Sequence, residues 1–429
     1  MKKTQFPKKQ DWAGYMQRPE VDQEELFSQV NMIFDEIRKN GDLAVKKYSH
    51  FFDRVDLEIF LVEEQAIQEA AEKVDKELQA AIQMAKSNIE KFHTEQMETR
   101  KTVETTPGIH CWRESRAIER VGIYVPGGTA PLFSTVLMLG VPAAIAGCKE
   151  IALCTPPNRH GEVHPAILYA ANLAGITQVY AVGGIQAIGA MTFGTETIPK
   201  VDKIFGPGNQ YVTAAKQVAQ NFGVAIDMPA GPSELLVVAD KTGIAPYIAA
   251  DLLSQAEHGP DSQVILLSDN PALVDATLKE IERQITDLPR KDVAAQSLQN
   301  SNAIVLKSIE ECIAFSNQYA PEHLILAVQD YEASIPLISN AGSVFLGNYS
   351  CESAGDYATG TNHTLPTNGY ARNYSGVSLD SFVKKITFQH VSSEGLRRIG
   401  PAIEIMAEAE QLLAHKNAVS IRLQDMHDE

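Results

Sequence analysis

From Val121 onward the chain repeats one texture: short apolar segments alternate with segments of helical length. The apolar ones are RVGIYV, EIALCT, TQVYAVG, KIFGP and AIDMP, then ELLVVAD, QVILLSD, AIVLKS, HLILAV and GSVFLG. Between most of them lie stretches such as Pro165–Gly175 and Pro271–Gln284, with apolar residues at helical spacing. Strands separated by helices run parallel, because the crossover must return the chain to the same edge of the sheet. The expected fold is α/β, with two doubly wound, Rossmann-like parallel-sheet domains. The run divides near Pro229-Ala-Gly-Pro232. That predicts a first α/β domain from 21–123 and 234–377 and a second over 124–233, with the N-terminal helices packed on the 234–377 part. Residues 1–20 read as a polar arm, and 378–429 as a helical tail.

Within the N-terminal part, Leu26, Val30, Ile33, Phe34 and Ile37 trace an amphipathic helix from Gln23 to Asn40, ended by Gly41. VDLEIFLV (55–62) reads as a strand, and Glu63 to Met97 as one long helix with a solvated charged face.

The 429 residues suffice for two or more cores. With 37 basic against 54 acidic residues the net charge is −17, which argues against nucleic acid or an anionic membrane as partner. The longest apolar run, Val136 to Gly147, is too short to span a bilayer and contains Pro142. The start MKKTQFPKKQDW is basic but lacks the apolar stretch of a signal peptide. Cys111, Cys148, Cys154, Cys312 and Cys351 are scattered without metal-type or disulfide-type spacing, which points to a reducing cytoplasm.

Three places carry chemistry. In DLLSQAEHGPDSQ (251–263) a helix ends at Gly259-Pro260, with Gln255 and His258 three apart on one face. An amide and an imidazole so placed can begin a zinc site; an isolated His there is otherwise a helix cap or surface group. Pro126-Gly127-Gly128 and Gly206-Pro-Gly208-Asn209 each stand between a strand and a helix, where backbone can approach a pyrophosphate. Neither is the dinucleotide fingerprint, and on pattern alone each is a tight turn. Glu322-His323 follows Pro321 on a helix-to-strand junction, where an adjacent Glu-His is commonly structural. Cys148 and Cys154 read as small apolar fillers, since no cation flanks Cys154 to stabilise a thiolate; Cys351 carries no assignment.

The strings SQAEHGPDSQ (254–263), YVPGGTAPLFSTVLM (124–138), IFGPGNQYV (204–212), QYAPEHL (318–324), AGSVFLGNYSCESAGDYATGTNHTLPT (341–367) and AHKNAVS (414–420) resemble histidinol dehydrogenases. The likeness runs from the second helix nearly to the C-terminus. It implies oxidation of L-histidinol to L-histidine with two NAD and one zinc per subunit, the last step of histidine synthesis. It implies zinc ligands at Gln255, His258, Asp356 and His415. His323 is then the general base and Glu322 the activator of the water that hydrates the aldehyde. Contacts to NAD fall to Tyr124, Gln186 and Asn209. Contacts to substrate fall to Ser233, Gln255, His258, His323, Asp356, Glu410 and His415. The missing fingerprint fits a sheet only similar to a Rossmann fold. The likeness further implies an intertwined homodimer in which the tail carries His415 to the neighbouring site. Apart from the likeness, Ser233 reads as a cap, Asp356 as a turn residue and His415 as a helix end. The rival readings are an NAD-linked dehydrogenase of another amino alcohol and a zinc hydrolase that works without NAD.

Overall fold

The computed structural model describes residues 1–19, 23–127 and 131–426. In chain order its strands begin with β1 (Lys2–Gln5), β2 (Thr102–Thr106), β3 (Ile109–Ala117), β4 (Arg120–Tyr124) and β5 (Glu150–Thr155). They continue with β6 (Gln178–Ala181), β7 (Lys203–Phe205), β8 (Ala225–Ile226), β9 (Glu234–Ala239) and β10 (Gln263–Ser268). β11 (Asn302–Val305), β12 (His323–Ala327), β13 (Ser343–Leu346) and β14 (Val383–Val391) complete the set. The chain forms two compact units, one of Met1–Gln96 with Ile118–Phe382, the other of Met97–Ala117 with Val383 to the C-terminus.

The first unit holds two sheets that are parallel throughout, as the strand–helix alternation requires. The six-stranded sheet has the order β1-β11-β10-β9-β12-β13. β9, β10 and β12 are buried at every position, so helices cover both faces; a continuous apolar run such as ELLVVA has no solvent side to alternate with. The five-stranded sheet has the order β6-β5-β4-β7-β8. Its chain moves outward from β4 to β6, then returns to the far side of β4, opening a crevice at the carboxyl ends of β4 and β7. Helix Phe133–Ala146, which contains the longest apolar run, is buried from Ser134 to Ala143 inside this unit. No helix among the described residues is long and apolar enough to cross a membrane.

Five expectations are corrected, four of them in the first unit. The N-terminal helices do not pack on the sheet of 234–377: Val30, Ile33, Phe34 and Ile37 share a core with Tyr124 of β4 and with Ile188 and Val212 on the helices Gly184–Phe193 and Gln210–Ala219 that follow β6 and β7. VDLEIFLV is not a full strand, since only Leu61 makes a bridge, antiparallel to Tyr180. The long helix of 63–97 is broken: helix Glu64–Gln68 tightens into a 3-10 turn, and Val74 is extended before helix Lys76–Thr94. Val74 is buried, and the Gln79 side-chain amide donates to the Ala71 and Val74 carbonyls, satisfying the interrupted backbone. The first nineteen residues are not a free polar arm. β1 extends the six-stranded sheet beside β11, and Trp12 is fully buried, its ring 5.2 Å from that of Phe315.

The second unit is a three-stranded antiparallel sheet, β14-β3-β2, followed by helices Ser393–Ala409 and Leu413–Asp425. The helical reading of 378–429 missed β14, which pairs with β3 from Val383–Ala117 to Val391–Ile109. Trp112 and Phe388 stack across that pair at 5.6 Å, and Arg100 lies 4.1 Å above the Trp112 ring.

Candidate active site and metal centre

Helix Ala245–Ala256 delivers Gln255 at its last turn, and His258 follows in the turn beyond it, its N–H donating to the Gln255 carbonyl. Gln255 is fully buried, yet neither end of its amide has a hydrogen-bond partner. Leaving such an amide unmet costs about 1–3 kcal/mol per group, so the position is built for something that binds there. His258 keeps an exposed edge, but protein atoms crowd its imidazole and burial holds its pKa below the ordinary range.

Helix Glu352–Tyr357 brings Asp356 to the same place. It also brings Glu352, one helical turn earlier, which the sequence reading did not single out. Ligand atoms of His258, Glu352 and Asp356 lie within 4.8 Å of one another. Glu352 is 1% exposed and neither carboxylate oxygen has a hydrogen-bond partner. Burial, with Asp356, Glu322 and Asp251 nearby, pushes its pKa well above the carboxylate range.

β9 and β12 are neighbours, and their amino ends form the wall beside this cluster. Ala320 adopts the left-handed conformation that ends helix Ile309–Tyr319, and Pro321 then turns the chain into β12. Glu322 is buried and accepts a hydrogen bond from the Glu234 N–H at 2.8 Å. His323 Nδ1 lies 3.2 Å from the Glu234 carbonyl and 3.6 Å from Glu322 Oε2, while Nε2 lies 3.6 Å from Asp356 Oδ1. Burial raises the pKa of Glu322 to about 7. For His323, burial opposes the charge, but Glu322, Glu352 and Asp356 outweigh it and push the pKa up to about 10. Burial likewise opposes charge on Asp356, where His323 prevails and holds the pKa low. Ser233, half-buried, precedes β9 and accepts a bond from the Gln263 N–H through its carbonyl. A second residue missed in the sequence is His363, whose Nδ1 is 3.0 Å from the Asp356 carbonyl and whose Nε2 is 3.1 Å from Thr135 Oγ1.

The cluster thus holds four buried or half-buried carboxylates, Asp251, Glu322, Glu352 and Asp356, facing imidazoles and an unpaired amide. Such an excess of negative charge under low exposure calls for a cation, and nitrogen and oxygen donors in this number suit zinc. His415 and Glu410 were also expected near this cluster. They belong to the second unit, both exposed, His415 on helix Leu413–Asp425 and Glu410 at the end of the helix before it.

The three expected dinucleotide contacts stand at carboxyl ends of the five-stranded sheet. Tyr124 ends β4, is buried, and its hydroxyl accepts from the Gly184 N–H at 3.1 Å. Gln186 is fully buried; its Nε2 donates to Asp53 Oδ2 at 2.9 Å, while its Oε1 has no hydrogen-bond partner. Asn209 is exposed; its Oδ1 caps helix Gln210–Ala219 by accepting from Tyr211 and Val212 N–H, each at 3.1 Å. Gly128 of the first glycine cluster lies outside the described residues. Its neighbour Gly127 borders a cavity of about 820 Å³ lined also by Phe60, Glu63, Lys73, Pro156 and Ala181. Cys154 is fully buried and its thiol pKa is raised by burial, which suits a filler and not a nucleophile.

The profile of the histidinol dehydrogenase family matches residues 16–423. The chain is 55% identical to the histidinol dehydrogenase of Bacteroides thetaiotaomicron, covering 99% of each protein. It is 52% identical to the chloroplastic histidinol dehydrogenase of Arabidopsis thaliana, covering 95% of this chain and 88% of that one. A crystal structure of the enzyme from Elizabethkingia anophelis superposes with a TM-score of 0.98 at 62% identity, covering 100% of this chain and 99% of that one. Likeness over the whole length, with a Glu-His pair set beside a ligand-poised acidic cluster, places the chain in the histidinol dehydrogenase family of NAD-dependent oxidoreductases.

Proposed function

We propose that the protein, holding one zinc ion per subunit, oxidises L-histidinol through L-histidinal to L-histidine with reduction of two NAD, as the last step of histidine biosynthesis. The observation that carries this reading is the buried, unpartnered donor set of Gln255 and Glu352 beside His258 and Asp356. Bound zinc would be held by Gln255, His258 and Asp356 and would supply a positive anchor that orients an imidazole- and amine-bearing substrate. NAD would supply the acceptor for each hydride.

The chain's own groups then divide the proton work. His323, at the start of β12, takes the hydroxyl proton in the first oxidation. Its proton is held tightly while Glu322, Glu352 and Asp356 are uncompensated, and a cation held by the neighbouring ligands would weaken that hold. Glu322, with a pKa near 7, accepts a proton from the water that hydrates the aldehyde. Its bond from the Glu234 N–H fixes one oxygen and leaves the other for water. Ser233 contributes polar contact at the β9 end. The second oxidation then leaves a carboxylate.

The reading includes a homodimer in which the partner's His415 completes the ligand set and the partner's Glu410 reaches the substrate. The exposure of both residues, and the exposed Ile405, Met406 and Leu413 on the same helices, support it. All five cysteines are free, which suits a cytoplasmic enzyme. The test is direct. Purified protein with histidinol and NAD should form histidine and NADH, a chelator should stop it, and zinc should restore it while far-ultraviolet circular dichroism stays constant. Turnover without NADH would favour a hydrolase, and faster turnover of another amino alcohol would reassign the substrate.

A further inference from the structure

The backbone of Gly206 is held on both sides, at its N–H and at its carbonyl, by one buried ion pair. Lys216, on helix Gln210–Ala219, is 3% exposed, and its Nζ donates to the Gly206 carbonyl at 2.8 Å. The same ammonium pairs with Asp227, whose side chain is fully buried. Asp227 Oδ2 accepts from the Gly206 N–H at 2.8 Å, and Oδ1 accepts from the Met228 N–H at 2.7 Å. Both charges are therefore spent on backbone immediately after β7. Gly206 itself has φ +129°, and a Cβ there would come 2.0 Å from the Tyr124 carbonyl oxygen. The loop is thus pressed into the crevice between β4 and β7, and Asn209 leaves it at the start of the next helix.

A buried ion pair is a poor way to gain stability, because desolvating two charges costs about as much as their attraction returns. Apolar side chains would fill the same space. What charges supply in their place is geometry: a charge-assisted hydrogen bond to each of the two peptides that meet at the Gly206 Cα fixes both planes, and with them the backbone angles of Gly206. We propose that the Lys216–Asp227 pair is a positioning element for the dinucleotide, holding the Gly206–Asn209 loop in the form that receives NAD. This rests on the reading that Asn209 contacts NAD. Neither residue touches the cofactor; both act through the loop.

The test compares steady-state kinetics of the full-length, zinc-loaded protein with those of Lys216→Met/Asp227→Asn, which keeps volume and an acceptor for Gly206 while removing both charges. KM for NAD should rise roughly tenfold or more, with kcat at saturating NAD within about threefold and KM for histidinol unchanged. Lys216→Gln/Asp227→Asn, which also removes both charges but keeps an amide donor for the Gly206 carbonyl, is the second variant, should the first not fold, and must shift KM for NAD in the same direction. Asn209→Ala separates the two layers of the argument. If it raises KM for NAD while the folded ion-pair variants match the parent, the positioning role is wrong and the loop reading stands. If Asn209→Ala leaves KM for NAD unchanged, the loop reading fails and the inference with it. Equal losses in kcat and both KM values, in step with a lower thermal midpoint, would mark the pair as a general staple and overturn the proposal.

Discussion

Arg18 shows how much a residue outside the regular elements can matter. It is 16% exposed at its side chain and grips Glu234, 2% exposed, through two parallel N–H···O contacts, the second 2.9 Å long. Its Nη2 also donates to the Tyr319 carbonyl at 2.9 Å, and the guanidinium lies 3.9 Å above the Tyr319 ring. Arg18→Met removes all of this and leaves Glu234 buried, with the Asn368 N–H as its remaining side-chain donor. Breaking one side of a buried pair costs about 3–5 kcal/mol, and the lost cation–π contact adds about 1 kcal/mol. For a chain of 429 residues that corresponds to a thermal midpoint lower by roughly 4–7 °C. Glu234→Gln in the same chain removes the orphaned charge and should recover more than half of the loss. Circular dichroism melts at two scan rates measure it, since unfolding of a protein this large need not be reversible. Activity should fall in parallel, because the Glu234 N–H bonds Glu322 and its carbonyl faces His323. An Arg18→Met midpoint within about 1 °C of the parent, or a double variant no better than the single, would refute the reasoning.

Three further outcomes are expected. Asp53 has its pKa raised from 3.8 to about 6 by burial, so its ionised form burdens the fold above pH 6 and not below pH 4. Asp53→Asn should therefore stabilise the fold near pH 8, by about 1–2 kcal/mol after discounting for its solvent-facing part, seen as a higher thermal midpoint there and an unchanged one near pH 4; equal midpoints near pH 8 would contradict the assignment. Glu322→Gln should slow oxidation of supplied histidinal by about a hundredfold while sparing histidinol oxidation more, and equal slowing of both would remove its special role. Variants His258→Ala and His415→Ala, each inactive, should regain about a quarter of parental activity when unfolded and refolded together, because half of the dimers then carry one intact shared site; hybrids that form and stay inactive would return His415 to its own subunit.

The parts of the fold that sequence revealed are those whose signal is local. β9, β10 and β12 are apolar at nearly every position because both faces are covered, and a run such as QVILLS has few other interpretations. β14 was invisible because Val-Lys-Lys-Ile-Thr-Phe-Gln-His-Val is largely exposed, and its partner β3 lies far away in sequence. The place of the N-terminal helices was equally hidden: an amphipathic stripe says that something is covered, not which sheet covers it. At the candidate site, Glu322-His323 and Gln255/His258 stood out through motif and spacing. Glu352 did not, because a glutamate in a Ser-Cys-Glu-Ser string reads as surface charge until tertiary packing buries it. Its position one turn before Asp356 was the only local clue. His363, in a loop, had none, since its role depends on Thr135 reaching it from helix Phe133–Ala146.

The measurement that tests the central claim most directly is the stoichiometry of the reaction. Limiting histidinol, consumed to completion by the zinc-loaded protein in excess NAD, should yield two NADH per histidinol, with histidine as the accumulated product. One NADH per histidinol with free histidinal, or histidinol consumed without NADH, would contradict the assignment of both oxidations to this site.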